Sequence, residues 1–221
     1  MVPAQSKLTH LAAALLCAVF TAAPFQTPAQ RTIDSANAPV ALASHPMPLS
    51  EICDDPARLV GGVVRCRFQF ESELATWNPY LTRFGSDEYR ALRVWGDEQM
   101  LWKREEWEAP FAVLFVRRGS DVAKVLDNAP KYARFEITGR VRQVFLDLPW
   151  IEIESAQRLA PEIGEGALLH ASRAMQLIAG RQWQMACDDL DRALIGNLPE
   201  SARTELLRLR DDCQAHAAKR N

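Results

Sequence analysis

Apolar and polar residues alternate along several short stretches between residues 60 and 159, and this pattern predicts β-strands. In the stretch 64–70, apolar side chains at the even positions alternate with Arg65, Arg67 and Gln69, as expected for a strand with one buried face. Further strands are predicted at 89–95, 135–142 and 151–154 by the same alternation, and at 111–116 by an unbroken apolar run. The pattern therefore predicts five strands.

A short helix is predicted between the third and fourth strands. Ser120 can cap a helix that runs to Asp127, because serine is a favoured N-cap residue. The resulting order of three strands, one helix and two strands is that of the OB-fold, a five-stranded Greek-key barrel.

The last two strands carry a recognisable sequence. Phe135–Arg142 contains a glycine and a valine two positions apart, and after a turn predicted at 147–149 the run Trp150–Ser155 contains Ile-Glu-Ile. Together they resemble strands four and five of exported bacterial OB-fold proteins. The resemblance spans residues 60–159 and implies the fold more than a function. Two segments, 72–84 and 96–109, are longer than in compact members.

After Pro161 the apolar spacing becomes helical and predicts three helices, at 165–180, 182–195 and 199–218. The second helix resembles the second helix of a tetratricopeptide repeat through Trp183, Ala186, Leu190 and Ala193, followed by Pro199. A single hairpin with a capping helix is too short for a solenoid, so we expect these helices to pack on the barrel or on one another. The predicted fold class is α+β, a five-stranded OB-fold-like β-barrel at 49–160 followed by a small three-helix, repeat-like segment at 161–221.

The N-terminus has the pattern of a secretory signal peptide. Lys7 precedes the apolar run Leu11–Phe20, and Thr27 and Ala29 supply small residues before a predicted cut at Gln30. A membrane span needs about 20 apolar residues, so this run does not predict a permanent anchor. We therefore expect a signal peptide at 1–29, a flexible leader at 30–48 and a periplasmic or secreted protein.

Export affects the interpretation of the cysteines, because an oxidising compartment permits disulfides. Four cysteines remain after removal of the signal peptide: Cys53, Cys66, Cys187 and Cys213. They allow three connectivities, of which 53–66 with 187–213 is the most local. We expect at least one bridge. The alternative is four buried thiols.

The sequence offers little catalytic chemistry. Residues 46–169 contain no histidine, which argues against a Ser-His-Asp or Cys-His pair on the barrel. The Gly61-Gly62 pair lacks the further glycines and the lysine of a phosphate-binding loop. No cysteine pair has metal-type spacing. We predict no catalytic residues, no cofactor and no metal.

The strongest candidate for binding is the outer side of the strands. If the apolar alternates point inward, the residues that point outward are Arg65, Arg67, Arg93, Trp95, Arg140 and Arg142. OB-folds bind ligands on such a face. In the alternative interpretation these arginines pair with Glu136, Glu152 or Glu154 across neighbouring strands, a common arrangement. Trp102 and Trp107 lie in a charged loop and are candidate contact residues.

These observations predict an exported, non-enzymatic binding or adaptor protein whose barrel binds a small ligand, a glycan or a protein partner. The second hypothesis is an exported single-stranded nucleic-acid-binding protein that uses the arginine and tryptophan face. The formal net charge of −2 does not favour a polyanionic ligand.

Overall fold

A computed structural model describes residues 45–78, 82–160 and 162–219. The predicted signal peptide, the predicted cut at Gln30 and residues 30–44 of the predicted leader lie outside the described residues. The strands and the C-terminal helices belong to one compact unit.

Five strands close into a single sheet, which confirms the α+β prediction and its five strands. They are β1 (Val63–Leu74), β2 (Tyr89–Gly96), β3 (Phe111–Arg117), β4 (Arg134–Phe145) and β5 (Leu148–Leu159). The order around the sheet is β1-β2-β3-β5-β4, and β4 pairs with β1 to complete it. Neighbouring strands are antiparallel except β3 and β5, which run parallel and are in register at Leu114 with Ile151 and Phe115 with Glu152.

Helices lie before, between and after the strands. They are α1 (Leu49–Asp54), α2 (Arg104–Trp107), α3 (Asp121–Leu126), α4 (Glu165–Ala179), α5 (Trp183–Ile195) and α6 (Glu200–Ala218), with a 3-10 turn at Pro56–Leu59. The predicted helix between β3 and β4 is confirmed, and the Ser120 hydroxyl accepts a hydrogen bond from the Ala123 amide at 3.1 Å. Helices α1 and α2 were not predicted, because neither is long enough to show a helical period. In the described part of the chain, no helix is long and apolar enough to cross a membrane.

The interior of the closed sheet is the main core. It contains Val64, Cys66, Phe68, Leu92, Val94, Leu114, Phe135, Ile137 and Ile151, all almost fully buried. Leu49 and Ile52 of α1 are buried in the same cluster. Met47 packs against it, and its amide donates to the Arg65 carbonyl at 2.7 Å. Met47, near the end of the predicted leader, is therefore attached to β1.

Gly139 lets β4 and β5 approach closely. A Cβ at this position would lie 2.7 Å from Cγ2 of Ile151 and 3.0 Å from the carbonyl oxygen of Glu152. Real Cβ atoms do not tolerate such distances in a packed interior. The glycine is therefore required by the space between the strands.

The β4–β5 hairpin turns through Leu146 and Asp147, one residue earlier than the predicted turn at 147–149. Both residues adopt positive φ angles, 50° and 58°, as two-residue hairpin turns of the I′ type require. Pro149 is instead a buried residue of β5, paired with Val144. Leu146 is 72% exposed, so a bulky apolar side chain occupies a position that usually carries asparagine or glycine.

The predicted disulfide is wrong, because the four described cysteines are free thiols. Cys66 is fully buried inside the closed sheet, and the Cys187 and Cys213 side chains interact with each other as thiols. Burial raises the pKa of Cys53 and of Cys213 to about 11. These cysteines are thus protonated at neutral pH, which makes them weak nucleophiles.

Candidate ligand-binding site

The predicted arginine face consists of ion pairs. On β1, Arg65 and Arg67 both pair with Glu136 of β4. The other pairs are Arg93 with Glu71 at 3.3 Å, Arg140 with Glu154 at 2.7 Å and Arg142 with Glu152 at 2.6 Å. Burial opposes ionisation of Glu136, but hydrogen bonds from the two β1 arginines outweigh it and lower its pKa. The structure therefore shows the cross-strand pairing that the sequence offered as the alternative.

Trp95 was predicted to be an exposed contact residue, and this is wrong. Its side chain points away from the interior core, as the alternation predicts, but it is only 1% exposed. It stacks on Tyr132 and Trp107, with ring centroids 5.6 Å and 6.1 Å away. Its indole N–H donates to the Trp107 carbonyl at 3.0 Å. An outward-pointing residue is buried here because other chain segments cover this part of the sheet.

The two candidate loop tryptophans differ in environment. Trp102 is 5% exposed and packs with the C-terminal helices. Its buried indole N–H has no hydrogen-bond partner among the described residues. Trp107 is 41% exposed and remains available for contacts. A buried donor without an acceptor is rare in proteins and requires an explanation.

Both tryptophans line a groove of about 400 Å³ between the β2–β3 connection and α4. Its walls are apolar and aromatic, with four polar side chains. The lining residues are Leu101, Trp102, Arg104, Trp107, Tyr132, Glu165, Leu168, Leu169, Ser172 and Gln176. The five α4 residues follow a spacing of three to four and so share one side of the helix. Concave, mostly apolar sites of this size with a few polar groups are typical of small-ligand sites.

Tyr132 occupies one wall of this groove in a strained conformation. Its φ angle is 70°, in the left-handed region that side-chain-bearing residues rarely adopt. The strand environment fixes it, because its amide donates to the Phe70 carbonyl at 2.7 Å. Backbone strain of this kind costs about 1–3 kcal/mol and concentrates at functional sites.

A lysine lies against the same aromatic rings. The Lys131 ammonium is 5.0 Å from the Trp107 ring centroid and 5.4 Å from those of Trp95 and Tyr132. These are cation–π distances. In the part of the chain that the structure describes, Lys131 forms no ion pair, so its charge has no carboxylate partner.

A second aromatic cluster covers the outer side of β2 and β3. Phe84, from the segment that joins β1 to β2, stacks on Phe115 of β3 with ring centroids 4.4 Å apart. Trp77 of the same segment donates to the Phe84 carbonyl at 2.7 Å, and Trp150 stacks on Phe115 from β5. These rings are therefore engaged with each other.

Comparison with known proteins adds no assignment: no protein-family model matches the chain, and no curated protein is found to be similar to it. Among the described residues, no cluster of histidine, cysteine, aspartate or glutamate could hold a metal ion.

The groove residues outside the 96–109 segment were not predicted from the sequence. Tyr132 gives no sequence signal, because its importance lies in its backbone conformation. Leu168 and Leu169 are adjacent apolar residues of α4 that both line the groove, and of the two Leu168 is buried. Leu169 is in fact 65% exposed.

Proposed function

We propose that this chain is an exported, non-enzymatic binding protein whose ligand site is the groove between the β2–β3 connection and α4. The scaffold we propose is an OB-fold with a tetratricopeptide-like hairpin. The sheet order β1-β2-β3-β5-β4, with α3 between β3 and β4, supports the first part. The export proposal rests on the signal-like pattern at 1–29.

The observation that carries the proposal is the construction of the groove. Tyr132 is held in a strained conformation, Trp102 buries an N–H without an acceptor, and Leu169 exposes a large apolar side chain. Each of these features is unfavourable for an isolated protein. A ligand that covers Leu169 would remove the penalty of exposing that side chain.

Nucleic acid is the less favoured ligand. The arginines that would contact phosphates pair with carboxylates, and the rings on the outer side of β2 and β3 stack on one another. Non-specific binding of single strands depends on both free positive charge and free aromatic faces. A protein–protein adaptor role is also compatible with the groove.

The site can be tested with N-phenyl-1-naphthylamine, a neutral apolar probe whose fluorescence rises on binding. We expect saturable binding by the wild-type chain and a loss of affinity of about tenfold in Leu169→Glu, equivalent to about 1.4 kcal/mol. Ile195→Glu is the matched control, because Ile195 is an 85% exposed helical residue that does not line the groove. Equal affinity in all three proteins would contradict the assignment.

A further inference from the structure

We propose that the groove binds the β4–β5 hairpin tip of a second copy of this chain, so that copies associate head to tail. The hairpin tip consists of Phe145, Leu146 and Leu148. The inference rests on the proposed function, since it names the partner of the same groove.

The hairpin tip is an exposed apolar surface. Its three side chains are 39%, 72% and 46% exposed, in chain order. Leu146 has a φ angle of 50°, in the left-handed region that is unfavourable for a leucine. Single exposed apolar residues are ordinary on a protein surface, whereas a group of neighbouring ones marks an interaction site.

The hairpin tip projects from the sheet. The pairing of β4 with β1 ends at Arg140 with Val63, and that of β5 with β3 begins at Ile151 with Leu114. Further pairs of β4 with β5 lie beyond this level, namely Gln143 with Trp150, Val144 with Pro149 and Phe145 with Leu148. Because well-packed interfaces need complementary shapes, a protruding turn fits a concave site better than a flat one.

The groove is complementary to the hairpin tip in shape and in polarity. It is concave, its volume is about 400 Å³, and its walls are mostly apolar and aromatic. Leu169, which lines it, is 65% exposed. The tip and the groove each leave apolar surface in contact with water, and insertion of one into the other buries both.

The groove and the hairpin tip lie at opposite ends of β4. Tyr132 of the groove lies just before the strand begins at Arg134, and the strand ends at Phe145 in the tip. A strand of 12 residues spans about 36 Å at about 3.3 Å per step. The tip therefore cannot enter the groove of its own chain, and two copies must meet head to tail. Such an interface extends into an open chain or closes into a ring.

A lipid surface is a less favoured partner for the hairpin tip. Asp147 lies between Leu146 and Leu148 in the same turn. A carboxylate at this position opposes insertion into the apolar part of a bilayer. In a protein interface the same carboxylate can stay at the polar, solvent-accessible rim.

The contact is small, so we expect weak association. A standard protein interface buries about 1,600 Å² of surface, and one turn in a groove of this size buries less. We expect a dissociation constant of about 100 µM. At a protein concentration of about 1 µM the chain is then almost entirely monomeric.

Sedimentation velocity at protein concentrations of about 5–500 µM tests this contact. The sedimentation coefficient of the wild-type chain should rise with concentration, and Leu146→Asn and Leu169→Glu should each weaken association by about tenfold. An equimolar mixture of these two variants should form a dimer that grows no further, because each variant retains one half of the interface. That dimer also shows that both variants are folded. Val60→Asn is the matched control, because Val60 is a 52% exposed residue outside the tip and the groove.

Several results would overturn the inference. They are a wild-type chain that stays monomeric at the highest concentration, unchanged association in either single variant, and a mixture of the two variants that stays monomeric. Binding of the wild-type chain to phosphatidylcholine vesicles that is lost in Leu146→Asn, without self-association, would assign the tip to lipid instead.

The proposed function is judged separately, with N-phenyl-1-naphthylamine at about 1 µM protein, where the monomer prevails. If Leu169→Glu loses probe affinity while the wild-type chain does not self-associate, the groove stands as a ligand site and only the head-to-tail contact is refuted. If Leu169→Glu changes neither probe affinity nor association, both proposals fail.

Discussion

Replacing Trp95 by alanine is expected to destabilise the protein strongly, although an alternating strand pattern places this residue on the outside of the sheet. Trp95 is 1% exposed, stacks on two rings and donates a hydrogen bond to the Trp107 carbonyl. Removal of a buried tryptophan side chain costs about 3–5 kcal/mol. At about 2–4 °C per kcal/mol for a chain of this size, the melting temperature should fall by roughly 6–20 °C.

The matched control is Arg93→Ala, on the same strand and the same side of the sheet. Its side chain is 41% exposed and its ion pair with Glu71 spans 3.3 Å, so we expect a change within about 1 kcal/mol. Thermal unfolding followed by circular dichroism measures both variants. Similar melting temperatures for Trp95→Ala and Arg93→Ala would refute the argument, because Trp95 would then behave as a surface residue.

Three further changes test other parts of the structure. Gly139→Ala should lower the free energy of unfolding by about 1–3 kcal/mol through overpacking, whereas Gly166→Ala, where a Cβ meets nothing within 4 Å, should be neutral or stabilising in urea titrations. Leu146→Asn should raise the melting temperature by relieving about 1 kcal/mol of left-handed strain; a lower melting temperature would show that the exposed leucine makes a stabilising contact. Glu136→Gln should destabilise the protein at pH 7 by up to about 1 kcal/mol. The pKa of Glu136 is lowered on folding from its ordinary value of 4.5. The extra stability of the wild type over Glu136→Gln is therefore complete above the ordinary pKa and is lost as the pH falls through the lowered pKa of the folded state. A stability difference that persists at pH 2 would contradict the ionic origin.

The sequence predicted the elements of the fold well, because strands β1 and β4 and helix α5 each carry a long, regular apolar period. It failed where one element covers another. Alternation correctly placed Trp95 on the outer side of β2, but only the tertiary structure shows the 97–109 segment and Tyr132 over it. The disulfide prediction was wrong for a related reason. The number of cysteines and the compartment limit which bridges are possible, but the distances between the thiols depend on tertiary packing.

The candidate site could be predicted only in fragments. Trp102 and Trp107 stand out in the sequence as aromatic residues of a charged loop, but their different exposure follows from the packing of α4. Tyr132 and Lys131 lie in a turn without a distinctive sequence pattern. The strain at Tyr132 depends on its positive φ angle, and the position of Lys131 depends on the aromatic rings that it contacts. A single sequence contains no local pattern for either property.

The narrow parallel seam between β3 and β5 has a consequence for hydrogen exchange. The two strands are in register only at Leu114 with Ile151 and Phe115 with Glu152, whereas β4 and β5 pair from Arg134 with Leu159 to Phe145 with Leu148. Regions held by few backbone hydrogen bonds open at a lower free energy than the whole molecule. We therefore expect seam amides to exchange through a local opening that turns the closed sheet into an open one, while β4–β5 amides exchange only through global unfolding.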